Sequence, residues 1–134
     1  MVNDPVAGCH GVTYENMNDK MAEAVPEVAE EYAAELRWWG DDKPGPHVIY
    51  GNIFAHYLLR LLKSDGENER LRRAFEFLEV LASHEDPLVR DVVNATVVSD
   101  LFIDRRTVEA ARRFMGPKTL ESADANEPWH RLDE

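Results

Sequence analysis

The segment VIYGNIFAHYLLRLLK, residues 48–63, determines the fold class, because as a helix it is apolar around almost its whole circumference. Its polar residues recur every three or four positions and therefore gather on one narrow strip: Asn52, His56, Arg60 and Lys63. A helix of this kind lies in the centre of a bundle, where neighbouring helices cover most of its surface. The sequence therefore predicts an all-α domain built around this central helix.

Two helices are predicted before the central one. Asn16 or Asn18 is a candidate cap for a first short helix. Pro26 suits the first turn of a second helix, whose apolar residues recur at helical spacing as far as Trp39. This second helix is expected to end at GDDKPGP, residues 40–46, because glycine and proline break a helix.

Three helices are predicted after the central one. A polar break precedes an amphipathic helix at about 69–83. Asp86 is the candidate cap of the next segment, LVRDVVNATVVSDLFI at 88–103. The β-branched residues of this segment also fit a strand, but its cap and its length favour a buried helix. Asp104 is the candidate cap of a last helix that ends near residue 115.

The predicted architecture is a single compact bundle of five or six short helices, in which successive pairs faintly resemble a HEAT-like unit. The helical domain is expected to cover residues 16–117. Residues 1–15 are expected to form a loose N-terminal tail, since they are rich in turn-forming residues and show little periodicity. Residues 118–134 are expected to form a C-terminal tail, with Trp129 as the residue that docks it on the body.

The composition excludes several classes of function. The chain has 134 residues, one domain by length, and carries 26 acidic against 15 basic residues. A net charge of −11 argues against direct nucleic acid binding, which requires clustered Lys and Arg. No apolar run is long enough for a membrane, and the N-terminal segment lacks the pattern of a secretory signal, so a cytoplasmic protein is expected. The single cysteine, Cys9, cannot form an internal disulfide and has no predicted role.

Most of the excess negative charge lies in the first third of the chain. Residues 1–42 hold ten acidic and two basic residues, a net charge of −8. On the second predicted helix, Glu27, Glu31 and Trp38 fall within about 40° of one another, beside the apolar stripe. Glu35 lies nearer the edge of the core. Because glutamates four residues apart repel one another, such a row does not favour the isolated helix.

This acidic row has two interpretations. Carboxylates in the first turn suit the helix dipole, which accounts for Glu27 and extends at most to Glu30. It does not account for Glu31, Glu35, Asp41 and Asp42. The first interpretation is a solvated face that keeps the protein soluble. The second is a docking surface for a basic protein partner, with a tryptophan as aromatic anchor. We name this predicted surface the acidic face and define it by six residues: Glu27, Glu31, Glu35, Trp38, Asp41 and Asp42.

We find no motif that indicates catalysis or metal binding. His56 lies on the polar strip of the central helix, without a second histidine or a carboxylate at ligand spacing there. EFLE, at 76–79, offers two carboxylates, but a di-iron bundle requires Glu-x-x-His pairs on two helices. We therefore expect no metal, no cofactor and no enzymatic activity. A helical enzyme that uses His56 with Glu76 or Glu79 is the least favoured alternative.

Several segments resemble a group of small, acidic, all-helical bacterial proteins of uncharacterised function: a helical PE start, a Trp before a Gly/Pro loop, VIYGNIFAHYLLRLL, LRRAFEFLEVLAS, DPLVRDVV and a closing Trp segment. The resemblance covers roughly residues 20–130. Some of these proteins resemble immunity proteins that lie beside secreted toxins. The resemblance implies a protein that neutralises a toxin by covering it, often a basic nuclease whose active site an acidic face can block.

Two functional hypotheses follow from these observations. The leading one is a non-enzymatic protein-binding domain, an immunity-type inhibitor that occludes a basic toxin or effector through the acidic face. Its mechanism would be steric occlusion with electrostatic steering and no turnover. The alternative is a homo-oligomeric structural or regulatory domain, such as a homodimer, in which the acidic face only contributes to solvation.

Overall fold

The computed structural model describes residues 11–64 and 66–130. These residues form seven helices, and every regular element among them is helical, which confirms the predicted all-α class. The number of helices is higher than the five or six expected. They are α1 (Met17–Ala24), α2 (Ala29–Trp39, after the 3₁₀ turn Pro26–Val28), α3 (46–63), α4 (Asn68–Ala82), α5 (Pro87–Asp91, continued by Val92–Val98), α6 (Arg105–Arg112) and α7 (Pro117–Asn126, followed by the 3₁₀ turn Glu127–Trp129).

Helix α3 occupies the centre of the bundle, as predicted. Ile49, Tyr50, Phe54 and Leu58 are fully buried. The ring of Phe54 packs edge-to-face against Phe77 of α4, with centroids 6.0 Å apart. Such aromatic pairs contribute roughly 0.5–1.5 kcal/mol beyond the burial of their area. The all-round apolar pattern of α3 is therefore explained by contacts on several sides.

Helices α3 and α5 each contain a wider π-type stretch, at Tyr50–Ala55 and Val92–Val98. These two stretches lie against each other. Gly51 allows a close approach at this contact, since a Cβ atom there would lie 3.3 Å from Cγ2 of Thr96, a tight contact. A hydrogen bond of 2.6 Å between His47 Nδ1 and Thr96 Oγ1 joins the same two helices. The β-branched segment is thus a buried helix, as predicted, with π-type hydrogen bonding that the pattern did not indicate.

Two predicted helix caps are confirmed. The carboxylate of Asp86 accepts a hydrogen bond from the backbone N–H of Leu88 at 2.9 Å. The carboxylate of Asp104 accepts one from the backbone N–H of Thr107 at 2.7 Å. Each bond satisfies a donor that the first turn of a helix otherwise leaves without a partner. The predicted break after α2 is also confirmed, with Gly40 at a positive φ of 64° that suits glycine.

Much of the predicted C-terminal tail is in fact helix α7. The residue at its N-cap position, Gly116, has no side chain to cap it. The cap comes instead from Glu79 of α4, which accepts hydrogen bonds from the backbone N–H groups of Lys118 and Thr119, both at 2.9 Å. Thr119 and Ala123 bury the inner face of the helix. The last helix was missed because its cap lies on another helix.

The docking predicted for Trp129 is not seen, because this side chain is 84% exposed. The neighbouring His130 makes the contact and stacks on Phe102, with ring centroids 4.7 Å apart. Arg112 of α6 pairs with Glu127 at 2.8 Å and holds the same segment. The stacked histidine ring and this ion pair therefore replace the expected tryptophan anchor.

The predicted N-terminal tail, 1–15, is ordered in the part that the structure describes. Residues 1–10, which include Cys9, lie outside the described residues. Val12 is buried, and its carbonyl accepts a hydrogen bond of 2.8 Å from Nε2 of His84.

None of the helices in the described ranges has the length and apolar character that a membrane crossing requires.

Candidate functional site

Helix α2 carries three of the six residues of the acidic face, and its two halves differ in exposure. The side chains of Val28 and Tyr32 are buried where the helix begins. From residue 33 onward most side chains are exposed, and Leu36 on the apolar stripe is 36% exposed. Gly40 ends the helix and leads into the loop 40–46. The C-terminal half of α2 is therefore the accessible part.

Glu27 lies at the base of the acidic face and is held by two arginines of α4. Its Oε2 accepts a hydrogen bond from Arg73 Nη1 at 3.1 Å and lies 3.9 Å from Nε of Arg70. The glutamate side chain is only 24% exposed. Burial, followed by the charge of Glu27, raises the pKa of the nearby Tyr57 hydroxyl above its ordinary value.

The next two carboxylates of the acidic face are bound by α3 and by α2 itself. Glu31 receives two hydrogen bonds from the guanidinium of Arg60, at 2.8 and 3.4 Å. Oε2 of Glu35 accepts hydrogen bonds from Nε1 of Trp39, at 3.0 Å, and from the side-chain amide of Asn52, at 2.9 Å. Each of these three carboxylates thus receives at least one hydrogen bond from the chain's own donors, while Oε1 of Glu27 is buried without a hydrogen-bond partner among the described residues.

The polar strip of α3 is the partner of this acidic row. As the sequence number rises along α3, it falls along α2: Asn52 contacts Glu35 and Arg60 contacts Glu31. The two helices are therefore antiparallel, and Glu27 is left to the arginines of α4. The sequence holds a signal for this pairing, since polar residues recur at matching spacing on both helices. The pairing with donors on α3 and α4 explains why the negatively charged glutamates lie in one row.

The remaining three residues of the acidic face are accessible, and we call them the Trp38 patch: Trp38, Asp41 and Asp42. Trp38 is 78% exposed, and its ring packs edge-to-face on Trp39, with centroids 5.3 Å apart. Asp41 and Asp42 are exposed, and their side chains bind no donor within 11–64 and 66–130. The structure therefore divides the predicted face into a paired row and an open patch.

A groove of about 530 Å³ is lined by Tyr32 and Leu36 of α2. At about 100° per residue these two side chains lie about 120° and 160° around the helix from Trp38, so the groove is on the opposite side of α2. We name it the α1–α2 groove, and its main lining residues are Tyr14, Asp19, Tyr32, Leu36, Lys43 and Pro46. The Tyr32 hydroxyl donates a hydrogen bond of 2.7 Å to Oδ1 of Asp19. Burial and this bond raise the pKa of Tyr32 above its ordinary value, so the hydroxyl remains a donor. The sequence did not reveal the groove, because its walls come from three separate segments.

The residues considered for catalysis have other contacts. Nδ1 of His56 lies 2.8 Å from the backbone carbonyl of Asn52. Both oxygens of Glu79 are occupied in capping α7. Burial raises the pKa of Asp100, while the charge of His56 lowers it. Among the described residues, no three His, Cys, Asp or Glu side chains lie close enough together to hold a metal ion.

Residues 18–130 match a protein family described as a domain of unknown function, DUF7674, and the chain belongs to this family. The matched region covers nearly all of the seven-helix bundle and both faces of α2. No curated protein and no solved structure matches the chain. The family agrees with the predicted resemblance to proteins of uncharacterised function.

Proposed function

We propose that this member of the family is a non-enzymatic protein-binding domain that docks on a basic partner through the Trp38 patch. The observation that supports this proposal is Trp38 itself, which is 78% exposed at the end of α2. The contact of its ring with Trp39 leaves a large apolar and aromatic surface in water. Tryptophan is enriched among the residues that dominate binding energy at protein interfaces.

The electrostatics of the patch favour a cationic partner. Asp41 and Asp42 are exposed beside Trp38 and form no ion pair with a basic side chain in the described ranges. Residues 1–42 together carry a net charge of −8, which extends the negative field beyond the patch. Such a field accelerates the association of oppositely charged proteins, and salt screens the effect.

The paired carboxylates have a supporting part in this proposal. Glu27, Glu31 and Glu35 fix α2 against α3 and α4, so the end of the helix is presented in one orientation. A preorganised surface loses less conformational entropy when it binds. Glu31 remains 42% exposed and could also contact the rim of a partner.

In its most specific form, the proposal is an immunity-type inhibitor of a basic toxin or effector. The resemblance to small acidic helical proteins, some of them similar to immunity proteins, supports this form. The domain would cover the partner's cationic surface and act by occlusion, without chemical turnover. Steering by charge would raise the rate of association, and Trp38 would slow dissociation.

An affinity capture from the lysate of the source organism, at low and at moderate salt, tests the proposal. The baits are the wild-type protein, Trp38→Ala and the double variant Asp41→Lys, Asp42→Lys. Trp129→Ala is the matched aromatic control, because Trp129 is similarly exposed but lies after α7, outside the Trp38 patch. Glu85→Lys with Glu109→Lys is the matched charge control, because both carboxylates are exposed and unpaired within the described residues.

The proposal requires a basic protein that the wild type and both controls retain at low salt. Moderate salt and either patch variant should release it. Equal capture by the patch variants and the controls would contradict the proposal. A purified bait whose mass in light scattering rises with concentration, with no other protein captured, would favour the homo-oligomeric domain. The observation that supports the homo-oligomeric domain as a second candidate is the 84% exposure of Trp129.

A further inference from the structure

The α1–α2 groove combines apolar walls with carboxylate groups. Tyr14, Tyr32, Leu36 and Pro46 supply aromatic and aliphatic surface from α1, α2 and the loop after α2. Asp19 lies among them with one oxygen committed to Tyr32 at 2.7 Å. Its second oxygen has no partner in the described part of the chain. The groove therefore offers a carboxylate acceptor at the edge of an apolar channel.

A long cationic side chain matches this arrangement. Arginine and lysine bury an aliphatic stem while the charged head group stays near water. A guanidinium also stacks on aromatic rings and forms strong hydrogen bonds with carboxylates. Glu15 adds a second exposed carboxylate to the lining. The volume of about 530 Å³ is larger than one side chain, so the groove has room for an arginine.

We propose that the α1–α2 groove is the recognition site for an arginine side chain of the basic partner, with Asp19 as its carboxylate acceptor. This inference deepens the proposed function and rests on it for the identity of the occupant. The groove and Trp38 lie on opposite sides of α2, separated by about one helix diameter, roughly 10–12 Å. A partner that grips the end of α2 would reach both.

Lys43 gives the proposal a second, opposite test. Its side chain lines the groove and forms no ion pair within 11–64 and 66–130. An ammonium there repels an incoming guanidinium. Removal of Lys43 should therefore strengthen binding, whereas removal of the Asp19 charge should weaken it.

The experiment is an NMR titration of the isolated full chain with the peptide acetyl-Gly-Arg-Gly-amide. The peptide that carries citrulline in place of arginine is the uncharged control of similar shape. Backbone amide shifts should change at Tyr14, Asp19, Tyr32 and Leu36 with the arginine peptide, which should bind about tenfold tighter than the citrulline peptide. Asp19→Asn should abolish this difference, and Lys43→Gln should increase the affinity a few-fold.

Equal binding of the two peptides, shifts outside the groove, or an unchanged affinity in Asp19→Asn would overturn the proposal. Trp38→Ala separates this inference from the proposed function, because it should leave the titration unchanged while abolishing capture of the partner. Peptide binding without partner capture would contradict the proposed function and retain the groove as a cation site. Capture without peptide binding would contradict only the groove.

Discussion

Oε1 of Glu79 accepts two hydrogen bonds from Thr119, one from its backbone N–H at 2.9 Å and one from its hydroxyl at 2.8 Å. These residues lie 40 positions apart, on α4 and α7. The contact gives the last helix the N-cap that Gly116 cannot provide. The stability of the C-terminal part of the bundle therefore depends on the carboxylate of Glu79 on α4.

Glu79→Ala should lower the free energy of unfolding by about 1–3 kcal/mol, because buried donors at the start of α7 lose their acceptor. Urea unfolding followed by circular dichroism measures this change. Glu76→Ala is the control on the same helix, since no hydrogen bond or ion pair of Glu76 is found among the described residues. A cost as large for Glu76 as for Glu79 would show that the cap contributes nothing specific.

Gly116→Ala should destabilise the protein by about 1–3 kcal/mol, since overpacking forces neighbouring groups to move. A Cβ atom at this position would lie 2.6 Å from Oε1 of Glu79 and would displace the capping carboxylate. The backbone itself is unstrained there, with φ at −79°. In the Glu79→Ala background the same change should cost much less, and a double-mutant cycle measures this coupling. Additive costs would contradict the clash.

Glu27→Gln should cost more stability than Glu31→Gln, although both remove one charge from the acidic face. Glu27 is 24% exposed and contacts two arginines, whereas the Glu31 side chain is 42% exposed and contacts one. An exposed ion pair contributes about 0–1 kcal/mol, whereas removal of a more buried partner costs more because it leaves the opposite charge uncompensated. Chemical denaturation of both variants at low and at high salt checks the ranking. Equal costs would mean that burial does not distinguish the two pairs.

Trp38→Ala should change the free energy of unfolding by no more than about 0.5 kcal/mol, because the side chain is 78% exposed. Trp39→Phe should cost about 0.5–1.5 kcal/mol, since it removes the hydrogen bond from Nε1 to Glu35. Thermal unfolding of the two variants gives the comparison. A large loss in Trp38→Ala would indicate a structural role for this tryptophan and weaken the proposed docking surface.

Asp104 should make the stability of the protein depend on pH in the acidic range. Hydrogen bonds from Thr107 hold the pKa of Asp104 below its usual range. Because the unfolded chain binds this proton more readily, the contribution is present above the unfolded pKa, near 4, and is lost as the pH falls through the folded value. Asp104→Asn should therefore lower the midpoint of thermal unfolding at pH 7, and the gap should close in strong acid. Glu109→Gln, on the same helix, should show no such closure.

The fold was predictable where the signals are local. The apolar circumference of α3 and the caps at Asp86 and Asp104 depend on residues within one or two helical turns, and all three predictions are confirmed. Helix α7 was missed because its cap lies on α4. The exposure of Trp129 was missed because a tail can dock through any of several neighbouring side chains.

The candidate site was predictable only as a set of residues. The sequence places six residues on or beside one face of α2, but their partners Arg60 and Arg73 lie 29 and 46 positions away in the chain. Helical periodicity cannot distinguish a solvated carboxylate from a paired one. The division into a paired row and the Trp38 patch therefore required the packing of α2 against α3 and α4.

The antiparallel pairing of α2 with α3 also constrains how the family can diverge. A substitution that removes the charge of Glu31 leaves Arg60 without its partner, so the two positions should change together among family members. The same covariation is expected between Glu27 and Arg73. The side chains of Asp41 and Asp42 accept no hydrogen bond within the described ranges, so a constraint on their charge would come from a partner outside the chain. If these aspartates covary with residues of a protein encoded by a neighbouring gene, that protein is identified as the partner.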